Sequence, residues 1–371
     1  MRTKNVQVEI DCSDVWSVDA RFVRRTDQYL RTGDLLVSSA NSWNLVGKCC
    51  WVPEEAAGST FGGFISTLRP NQEVVDPKYL FHWFSSPRIQ SRVRSFGRQT
   101  TNISNLDFAR CLALPIPLPS LAEQERIASI LDAVDALRAK RRNAIALVDD
   151  LTQSIFLNTF GDPESNPHDW SRKRFRDLLA TPLRNGLSPS TGGAVSAKVL
   201  TLSAVTGSRF NPTAFKIGSF NSKPPDAQAV RALDFLICRG NGNIQLVGKG
   251  DFPQTDMPDT TFPDTIIAAR PNYDLLTSEF LHCIWRMSNV RHQIESAVRT
   301  TNGTFKVNQT MLELVAIPVP PLELQASFTN KVRQISSVLT SQESHLAELD
   351  ALFASLQHRA FRGELRDTSA A

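Results

Sequence analysis

The sequence of 371 residues lacks the features of a secreted or membrane-spanning protein. Its apolar stretches are short and interrupted by proline, as in Cys111–Pro119, so none is long enough to cross a bilayer. A mixed polar segment follows Met1 in place of a basic region and an apolar run, so we expect no signal peptide. The six cysteines form no CxxC pair and have no histidine at ligand spacing, which excludes a disulfide scaffold and a zinc ribbon. Buried, reduced thiols in a cytoplasmic protein are the simplest interpretation.

Known catalytic motifs are also missing. The stretch 240–250 is rich in glycine, but five residues separate Gly242 from Gly248, and Gly250 stands where a phosphate loop needs Ser or Thr. The segment around Pro224-Pro225 lacks the flanking Asn/Asp and aromatic residue of an amino-methyltransferase that holds a flipped base. No dinucleotide fingerprint, GxSxG or HExxH motif occurs. We therefore expect no catalytic residue and no metal site in this chain, and hence a protein that is not an enzyme by itself.

The charge balance is nearly even, since 41 Lys and Arg stand against 37 Asp and Glu. A net charge of +4 excludes a histone-like chain but allows local basic patches. The hydrophobic share of 41% is typical of a folded protein. At about 150 residues per domain, the length predicts two to three domains.

The chain repeats itself. The segment RTGDLLVSSANSWNLVGK, beginning at Arg31, corresponds to RALDFLICRGNGNIQLVGK, beginning at Arg231, with one residue added in the second loop. Further along, PIPLPSLAEQ corresponds to IPVPPLELQ, so that Gln124 matches Gln325. Ordered matches over roughly 130 residues indicate a duplication.

Each copy has the same predicted layout. Short strands and turns come first, then a helix, then a proline-punctuated strand, and then a long helix. The shorter helices are expected over Lys78–Phe96, with a start signal at Asp76, and over Glu279–Val298, with a start signal at Ser278. Because proline cannot donate to a central ladder, ALPIPLP and VAIPVPP indicate edge strands or extended connectors. The pattern predicts two mixed α/β (α+β) domains, each followed by a long helix.

The two long helices have the clearest signals. A capping box at 120–123 predicts the first start, and Gly161 and Gly363 stand where helices end. About 40 residues at 1.5 Å each give a length of about 60 Å. Apolar residues recur in steps of four and three, with Arg141 and Gln342 at the polar positions, so we expect the helices to pair as a coiled coil. Two unrelated core helices are the alternative. The predicted seam comprises Ile130, Val134, Leu137, Val148 and Leu151 of the first helix and Ile335, Leu339, Leu346, Leu349 and Leu356 of the second.

Basic residues and polar loops recur at equivalent places in both copies. Arginine forks suit phosphates and guanine edges, while Asn and Thr read bases or fix the register of the backbone. Two such surfaces on a rigid spacer favour duplex DNA as the ligand. Solvated helix faces and polar turns are the alternative for each single residue. The candidate contacts are Asn41, Arg94, Arg98, Thr100, Thr101 and Asn102 in the first copy and Arg184, Asn185, Arg239, Asn241, Asn243, Arg299, Thr300, Thr301, Asn302 and Lys306 in the second.

These features together resemble the specificity (S) subunit of type I restriction–modification systems. The resemblance is carried by the proline–LAEQ stretch Leu114–Ile127, by the helix end TQSIFLNTFGDP, and by their second copies IPVPPLELQ and LFASLQHRAFRGEL. It implies two target-recognition domains, each reading half of a split site in double-stranded DNA. It also implies an antiparallel coiled coil that spaces these domains and docks two methyltransferase (modification) subunits.

The resemblance also implies which groups this chain does not bind. S-adenosylmethionine is expected to bind the methyltransferase subunits. ATP and Mg are also expected on partner subunits, among which is a separate restriction (motor) subunit. The predicted division is a first recognition domain 1–119, a spacer helix 120–161, a second recognition domain 162–321, a second spacer helix 322–363, and a tail 364–371.

The sequence departs from the family pattern in two places. Leu324 stands at the place of Glu123, so we expect a weaker start for the second long helix. Met1 corresponds to about residue 201 of the second copy, so Trp170–Leu200 has no equivalent in the first. The first recognition domain is therefore expected to lack its opening strands. A truncated or misassigned start is the expected reason, and a naturally shortened variant or a separately encoded piece are the alternatives.

The predicted function is that of a non-catalytic DNA-recognition subunit in a type I complex. One alternative is a coiled-coil interaction scaffold, or a defective specificity subunit without sequence-specific DNA binding. A specificity region cut from a fused methyltransferase–endonuclease is another alternative, against which the lack of an upstream catalytic motif argues.

Overall fold

The computed structural model describes residues 1–99, 103–301 and 303–365. Internal contacts divide the chain into unit 1, residues 1–144 and 342–371, and unit 2, residues 145–341. Each unit mixes strands with helices and contains one part of each long helix. The predicted contacts Thr100, Thr101, Asn102 and Asn302, the side chain of Thr301, and the tail beyond Leu365 lie outside the described residues.

The described residues of unit 1 form two small antiparallel sheets and several helices. Its elements are β1 Leu35–Ser38, β2 Ala40–Asn41, β3 Cys49–Trp51, β4 Ile65–Leu68, α1 Pro77–Phe84, α2 Pro87–Ser95, β5 Gly97–Gln99, β6 Ser104–Leu106, α3 Phe108–Leu112 and the first part of α4 Leu121–Phe160. All four residues of β1 are buried, as expected for the central strand of a sheet.

The described residues of unit 2 form four sheets, with the strand orders β10-β9-β15-β11, β14-β12-β16-β8, β13-β18-β17 and β19-β7. Its strands are β7 Arg172–Arg174, β8 Leu179–Asn185, β9 Val195–Leu200, β10 Phe215–Phe220, β11 Ala229–Val230, β12 Phe235–Cys238, β13 Gly240–Asn241, β14 Gly250–Asp251, β15 Met257–Thr261, β16 Ile266–Pro271, β17 Arg299–Thr301, β18 Thr304–Lys306 and β19 Ala316–Pro318. Its helices are α5 Ser203–Thr206, α6 Ser278–Arg286, α7 Ser288–Ala297, α8 Gln309–Glu313 and the first part of α9 Leu322–Ala360.

The two units share a common topology, as the sequence repeat predicts. The order β3-β1-β4 in unit 1 recurs as β14-β12-β16 in unit 2, and β2-β6-β5 recurs as β13-β18-β17. Unit 2 adds β8 beside β16 and a further sheet that contains β9 and β10. Within the described part of unit 1, no strand takes the place of β8, in agreement with the missing equivalent of Trp170–Leu200.

The shorter helices differ from their prediction. Each predicted helix is in fact two helices, because the chain breaks at Ser86 before Pro87 in unit 1 and at Met287 in unit 2. Pro87 lacks the N–H that a continuous helix would need, so it begins a new helix at its first position. Met287 takes an extended backbone and buries its side chain in the core. The side chain that caps α6 is Thr277, not Ser278.

Both long helices are present, with 40 residues in α4 and 39 in α9. Gly161 and Gly363 follow them with φ of 75° and 77°, the left-handed backbone that ends a helix without a Cβ clash. At the start of α4, the Ser120 hydroxyl accepts the N–H of Glu123 at 3.4 Å, while the Glu123 carboxylate pairs with Arg126 at 2.8 Å.

A buried glutamine side chain ties the start of α4 to the rest of unit 1. The Gln124 amide oxygen accepts the N–H of Asp76 at 2.9 Å. Its amide nitrogen donates to the carbonyls of Val74 at 3.2 Å and Pro119 at 2.9 Å. Since Asp76 caps α1, one side chain joins the starts of two helices.

The same arrangement recurs in unit 2. The buried Gln325 amide oxygen accepts the N–H of Thr277, the cap of α6, at 2.9 Å. Its nitrogen donates to the carbonyls of Leu275 at 3.0 Å and Pro320 at 2.9 Å. We call Gln124 and Gln325 the glutamine clamps.

The predicted seam is buried only in part, since Val134 of α4 and Leu339 of α9 are buried while other predicted positions are not. In unit 1, Ile127 and Leu131 are buried against the globular part, whereas Leu137 is 50% exposed. In unit 2, Leu151 is 48% exposed, and Phe156 is the buried side chain instead. Leu137 and Leu151 are exposed because the face of α4 that packs against each unit is formed by other apolar residues, such as Ile127 and Leu131 in unit 1 and Phe156 in unit 2.

Replacement of Gln325 by leucine should destabilise unit 2 by about 3 kcal/mol. Leucine leaves one backbone donor and two carbonyls without their buried partner, and each such loss costs about 1–3 kcal/mol. Urea unfolding monitors the change. Gln334→Leu, at an exposed position of the same helix, serves as the control and should shift stability by less than about 0.5 kcal/mol. Equal midpoints for the two variants would contradict the clamp.

Five of the six cysteines are buried free thiols, while Cys12 is exposed, contrary to the expectation of uniform burial. Burial raises the pKa of Cys50 to about 12 and that of Cys111 to about 11. Because the thiolate is the reactive form, we expect one fast-reacting thiol per native chain at pH 8 and six after denaturation, measured with a chromogenic thiol reagent. Cys12→Ser should remove the fast phase, and a surviving fast phase would contradict the burial of the others.

Candidate nucleic-acid interface

In unit 2, a small sheet joins two polar segments that lie far apart in the sequence. Strand β13 pairs with β18 so that Gly240 faces Lys306, and β17 pairs with β18 so that Arg299 faces Lys306. Paired positions on neighbouring strands lie about 5 Å apart. The predicted contacts around Arg239 and those around Arg299 therefore form one surface, which we call the three-strand surface of unit 2.

The third predicted loop lies near this surface. In the larger sheet, Asn185 at the end of β8 pairs with Ile267, and Cys238 at the end of β12 pairs with Ile266. The N–H of Arg239 donates to the carbonyl of Thr265 at 2.8 Å. Asn185 and Arg239 are thus two strands apart at the same end of the sheet, at a spacing of about 10 Å.

The exposed side chains among the described predicted contacts of this region are those of Asn185, Asn243, Arg299, Thr300 and Lys306. Arg239 is half-buried, and its guanidinium donates to the carbonyl of Asp264 at 3.1 Å. These side chains supply hydrogen-bond donors and positive charge with little apolar surface, which suits contact with phosphates and base edges.

The two asparagines of the loop after β13 shape its turn. The Asn241 amide oxygen accepts the N–H of Asn243 at 3.0 Å, and the Asn243 amide oxygen accepts the N–H of Gln245 at 3.0 Å. Such bonds are typical of Asx turns and helix caps. The carbonyl oxygens of both side chains therefore hold the backbone, which differs from their predicted use as base readers.

Arg184 is also placed differently from its prediction. The Asp234 carboxylate is fully buried, pairs with Arg184, and accepts the Arg270 Nε–H at 2.5 Å. The hydrogen bond to Asp234 raises the pKa of Arg270. In unit 1 the equivalent Asp34 binds Arg69 through both oxygens, at 2.8 and 2.7 Å. A buried carboxylate is costly unless cations neutralise it, so the contact with Asp234 gives Arg184 a structural role in unit 2.

Unit 1 has an equivalent three-strand surface. Asn41 of β2 pairs with Ser104 of β6, and Arg98 of β5 pairs with Asn105 of β6. The Arg98 side chain is 81% exposed, and its guanidinium pairs with the Asp107 carboxylate at 2.8 Å. This carboxylate reduces the positive charge that unit 1 offers to an anion.

Of the other predicted contacts in unit 1, Asn41 hydrogen-bonds to neighbouring residues of its own loop, and Arg94 lies in helix α2. The Asn41 amide donates to the Ser38 hydroxyl at 3.1 Å and accepts the N–H of Ser42 at 2.8 Å. Arg94 lies in the last turn of α2 and is half-buried. Unit 1 therefore has the same framework as unit 2 with fewer exposed cations.

The structure also shows a cluster of basic side chains that the sequence pattern did not predict. Lys249, Arg286 and Arg291 line a cavity of about 220 Å³, which we call the cationic cavity. Asp251 and His282 also line it, 3.4 Å apart. Burial, together with the charges of Arg286 and Arg291, lowers the pKa of Lys249.

The cationic cavity lies at the same end of the sheet as the three-strand surface. The carbonyl of Lys249 accepts the N–H of Cys238 at 2.7 Å, one residue before Arg239. The carbonyl of Val247 accepts a bond from Arg291 at 2.8 Å. Lys249 lies about forty residues from the two arginines along the chain, so only the tertiary fold could associate them.

Within the described ranges, no helix is long and apolar enough to cross a membrane. The same residues contain no group of three or more His, Cys, Asp or Glu side chains that could hold a metal ion.

Replacement of Arg184 by methionine should lower the stability of unit 2 by about 2 kcal/mol, because the buried Asp234 carboxylate loses one of its two cations. Urea unfolding measures the loss. The adjacent Asn185→Ala, at an exposed position, is the control and should change stability by less than about 0.5 kcal/mol. A stable Arg184→Met variant would return Arg184 to the set of DNA contacts.

Comparison with known proteins gives a consistent set of relatives. The family described as "Type I restriction modification DNA specificity domain" matches residues 15–147. The EcoKI specificity subunit of Escherichia coli (strain K12) is 25% identical over 386 residues, covering 98% of this chain and 82% of the relative. The StySPI specificity subunit of Salmonella potsdam is 25% identical over 388 residues, with the same shares.

Solved structures show a more distant likeness. The S subunit of a type I restriction–modification system from M. genitalium is 16% identical, with 91% of this chain and 85% of that chain covered and a TM-score of 0.47. The family match and the curated relatives agree with the resemblance carried by the proline–LAEQ repeat. Over nearly its whole length the chain is therefore similar to specificity subunits of type I restriction–modification systems, and residues 15–147 match the DNA specificity domain of that family.

Proposed function

We propose that the two units read the two halves of a split DNA site through their three-strand surfaces. The observation that carries this proposal is the recurrence of one small sheet, β2-β6-β5 and β13-β18-β17, at the same place in both units. In unit 2 this sheet joins Arg239, Arg299 and Lys306 to a common surface.

Phosphates and base edges would be contacted by different parts of this surface. Arg299, Lys306 and the cationic cavity supply positive charge for the phosphate backbone, which fixes register without reading sequence. Asn185 and Thr300 supply exposed amide and hydroxyl groups, which suit base edges in a groove. Affinity should then depend on salt, and specificity on the loops.

The long helices would form the antiparallel coiled coil that spaces the two readers. Contacts within each unit support this arrangement. In unit 1 the Arg138 guanidinium of α4 donates to the Asp350 carboxylate of α9 at 2.6 Å. In unit 2 the rings of Phe156 and Phe328 meet edge to face at 5.6 Å. The early part of each helix thus faces the late part of the other.

Two methyltransferase subunits would dock on this chain, and a restriction (motor) subunit would join them. The exposed Leu137, Leu147 and Leu151 side chains of α4 support a docking role, because such an apolar series on a helix is typical of an interaction surface. S-adenosylmethionine, ATP and Mg would be bound by these partners, and the complex would act in the cytoplasm.

A competition gel-shift tests the proposal. The chain is mixed with its methyltransferase subunits and a labelled duplex, and unlabelled random-sequence duplexes compete. Duplexes that compete are recovered and selected again over several rounds. We expect the recovered duplexes to share two short sequence motifs separated by a spacer. A complex that forms with no preference for any sequence would contradict DNA reading and favour an interaction scaffold.

The double substitution of Arg299 and Lys306 by alanine should weaken DNA binding for all sequences alike. If both side chains touch phosphates, the slope of log affinity against log salt should fall by about 0.9 for each phosphate that is no longer neutralised. Fluorescence anisotropy at several salt concentrations measures the slope. Lys331→Ala, at an exposed position of α9, is the matched control and should leave the slope unchanged. An unchanged slope in the double variant would exclude these phosphate contacts.

A further inference from the structure

A tight backbone turn builds the cationic cavity of unit 2. Gly248 takes a φ of 73°, which glycine adopts without strain, and a Cβ at this position would lie only 2.5 Å from Ile294. The carbonyl of Gly248 accepts the indole N–H of Trp285 at 2.8 Å. These contacts hold the turn against α6 and α7, so the next residue, Lys249, lies beside the arginines of the two helices.

The ammonium group of Lys249 has only a weak partner within unit 2. Its Nζ lies 3.5 Å from the carbonyl oxygen of Thr206, which is long for a hydrogen bond. The Asp251 carboxylate of the same cavity lies 3.4 Å from His282 Nε2, and no carboxylate in the described part of the chain forms an ion pair with Lys249. An ammonium carries three donors, so Lys249 can donate to a further acceptor.

The two arginines of the cavity differ in how firmly they are held. Arg291 donates to the carbonyl of Val247 at 2.8 Å and pairs with the Glu295 carboxylate at 3.1 Å. Arg286, the last residue of α6, is exposed and pairs with no carboxylate among the described residues. Arg291 therefore supplies a charge at a fixed place, and the Arg286 side chain can turn toward a ligand.

Positive charge exceeds negative charge on the walls of the cavity. Among its described lining residues, Lys249, Arg286 and Arg291 carry three positive charges, and Asp251, beside His282, carries one negative charge. Burial, and then the charges of the two arginines, lower the pKa of Lys249, because each disfavours the ammonium form. A bound anion would offset this cost, so the cavity suits a compact group with negatively charged oxygens.

Unit 1 satisfies the equivalent lysine in another way. The Lys48 ammonium donates to the Gln7 Oε1 at 2.6 Å, so a neutral oxygen from unit 1 itself is its partner. Ser85 and Gln90 stand in unit 1 at the places of the two arginines. One neutral oxygen therefore suffices in unit 1, whereas the added arginines of unit 2 favour an acceptor that carries negative charge.

We propose that the cationic cavity binds one phosphate group, with the ammonium of Lys249 and the guanidinium of Arg286 as its ligands and Arg291 as a fixed neighbouring charge. A phosphate group offers several charged oxygens to such donors, and a cavity of about 220 Å³ accommodates one of them. The phosphate belongs either to a DNA backbone or to a free phosphate ion. In the first case the site rests on the proposed function of unit 2, and it names the groups that hold the backbone there.

DNA binding by single variants tests the site. The full chain, with its methyltransferase subunits, is titrated into a labelled random-sequence duplex at several salt concentrations. Lys249→Ala and Arg286→Ala should each weaken binding at least fivefold and lower the slope of log affinity against log salt by about 0.9. Lys48→Ala, at the equivalent position of unit 1, is the matched control and should leave the slope unchanged, because Gln7 already binds that ammonium.

The pH dependence identifies the ammonium group. Phosphate binding favours the charged form, so affinity should fall as the pH rises through the lowered pKa of Lys249. Lys249→Arg keeps its charge at alkaline pH, so it should retain at least half of the affinity and lose this dependence. The other charged or titratable groups that line the cavity are Arg286, Arg291, Asp251 and His282. All four remain in the Lys249→Arg variant, so the comparison isolates Lys249.

Inorganic phosphate distinguishes the two sources of the phosphate group. It is titrated by calorimetry into the full chain without DNA. A free-phosphate site predicts one phosphate per chain, bound at least fivefold more weakly by Lys249→Ala, whereas a DNA-backbone site predicts a change in the salt slope alone. The proposal is overturned if Lys249→Ala and Arg286→Ala change neither readout, or if Lys249→Arg keeps the full pH dependence.

Failure of this site and failure of the proposed function give different results. A gel-shift without any sequence preference, together with a lower salt slope in Lys249→Ala, would contradict the reading of a split DNA site and support the phosphate site. Sequence preference with an unchanged slope and no difference in phosphate binding between the native chain and Lys249→Ala would support DNA reading and contradict the phosphate site.

Discussion

Each unit depends on a single buried amide side chain. Each glutamine clamp is buried and satisfies one N–H and two carbonyls where a connector, a helix start and a proline segment meet. A buried backbone donor or acceptor without a partner destabilises the folded state by about 1–3 kcal/mol. The clamp therefore fixes the direction in which a long helix leaves its unit, and with it the position of the helix relative to the sheet that carries the candidate interface.

The sequence allowed the duplication, the long helices and the mixed α/β class to be predicted, because these depend on local signals repeated in order. Gly161 and Gly363 have the positive φ that a helix end requires. The polar positions Arg141 and Gln342 were recognised as exceptions in the apolar series, and in unit 1 they hydrogen-bond to each other. The breaks at Pro87 and Met287 were missed, since the apolar periodicity continues across both of them.

The candidate site was only partly predictable for a physical reason. A loop rich in Arg, Asn and Gly has the same composition whether its side chains face solvent or satisfy the fold. Arg184 pairs with the buried Asp234, and Asn241 holds a turn, although both belong to such loops. Lys249 had no signal at all, because its two neighbouring arginines come from another part of the chain. Whether such a side chain is available to a ligand depends on its hydrogen-bond and ion-pair partners, and the tertiary structure determines these partners.

The two units show how one framework can have different surface charges. Lys48 is the equivalent of Lys249, yet its ammonium donates to Gln7 at 2.6 Å, and Gln90 stands where unit 2 has Arg291. Positive charge in unit 1 lies instead at Arg88, Arg92 and Arg362, which line a cavity of about 610 Å³. Because the central strands and the clamps are the same in both units, these differences cost the fold little. Surface charge is therefore free to vary between the two units while their shared framework stays the same.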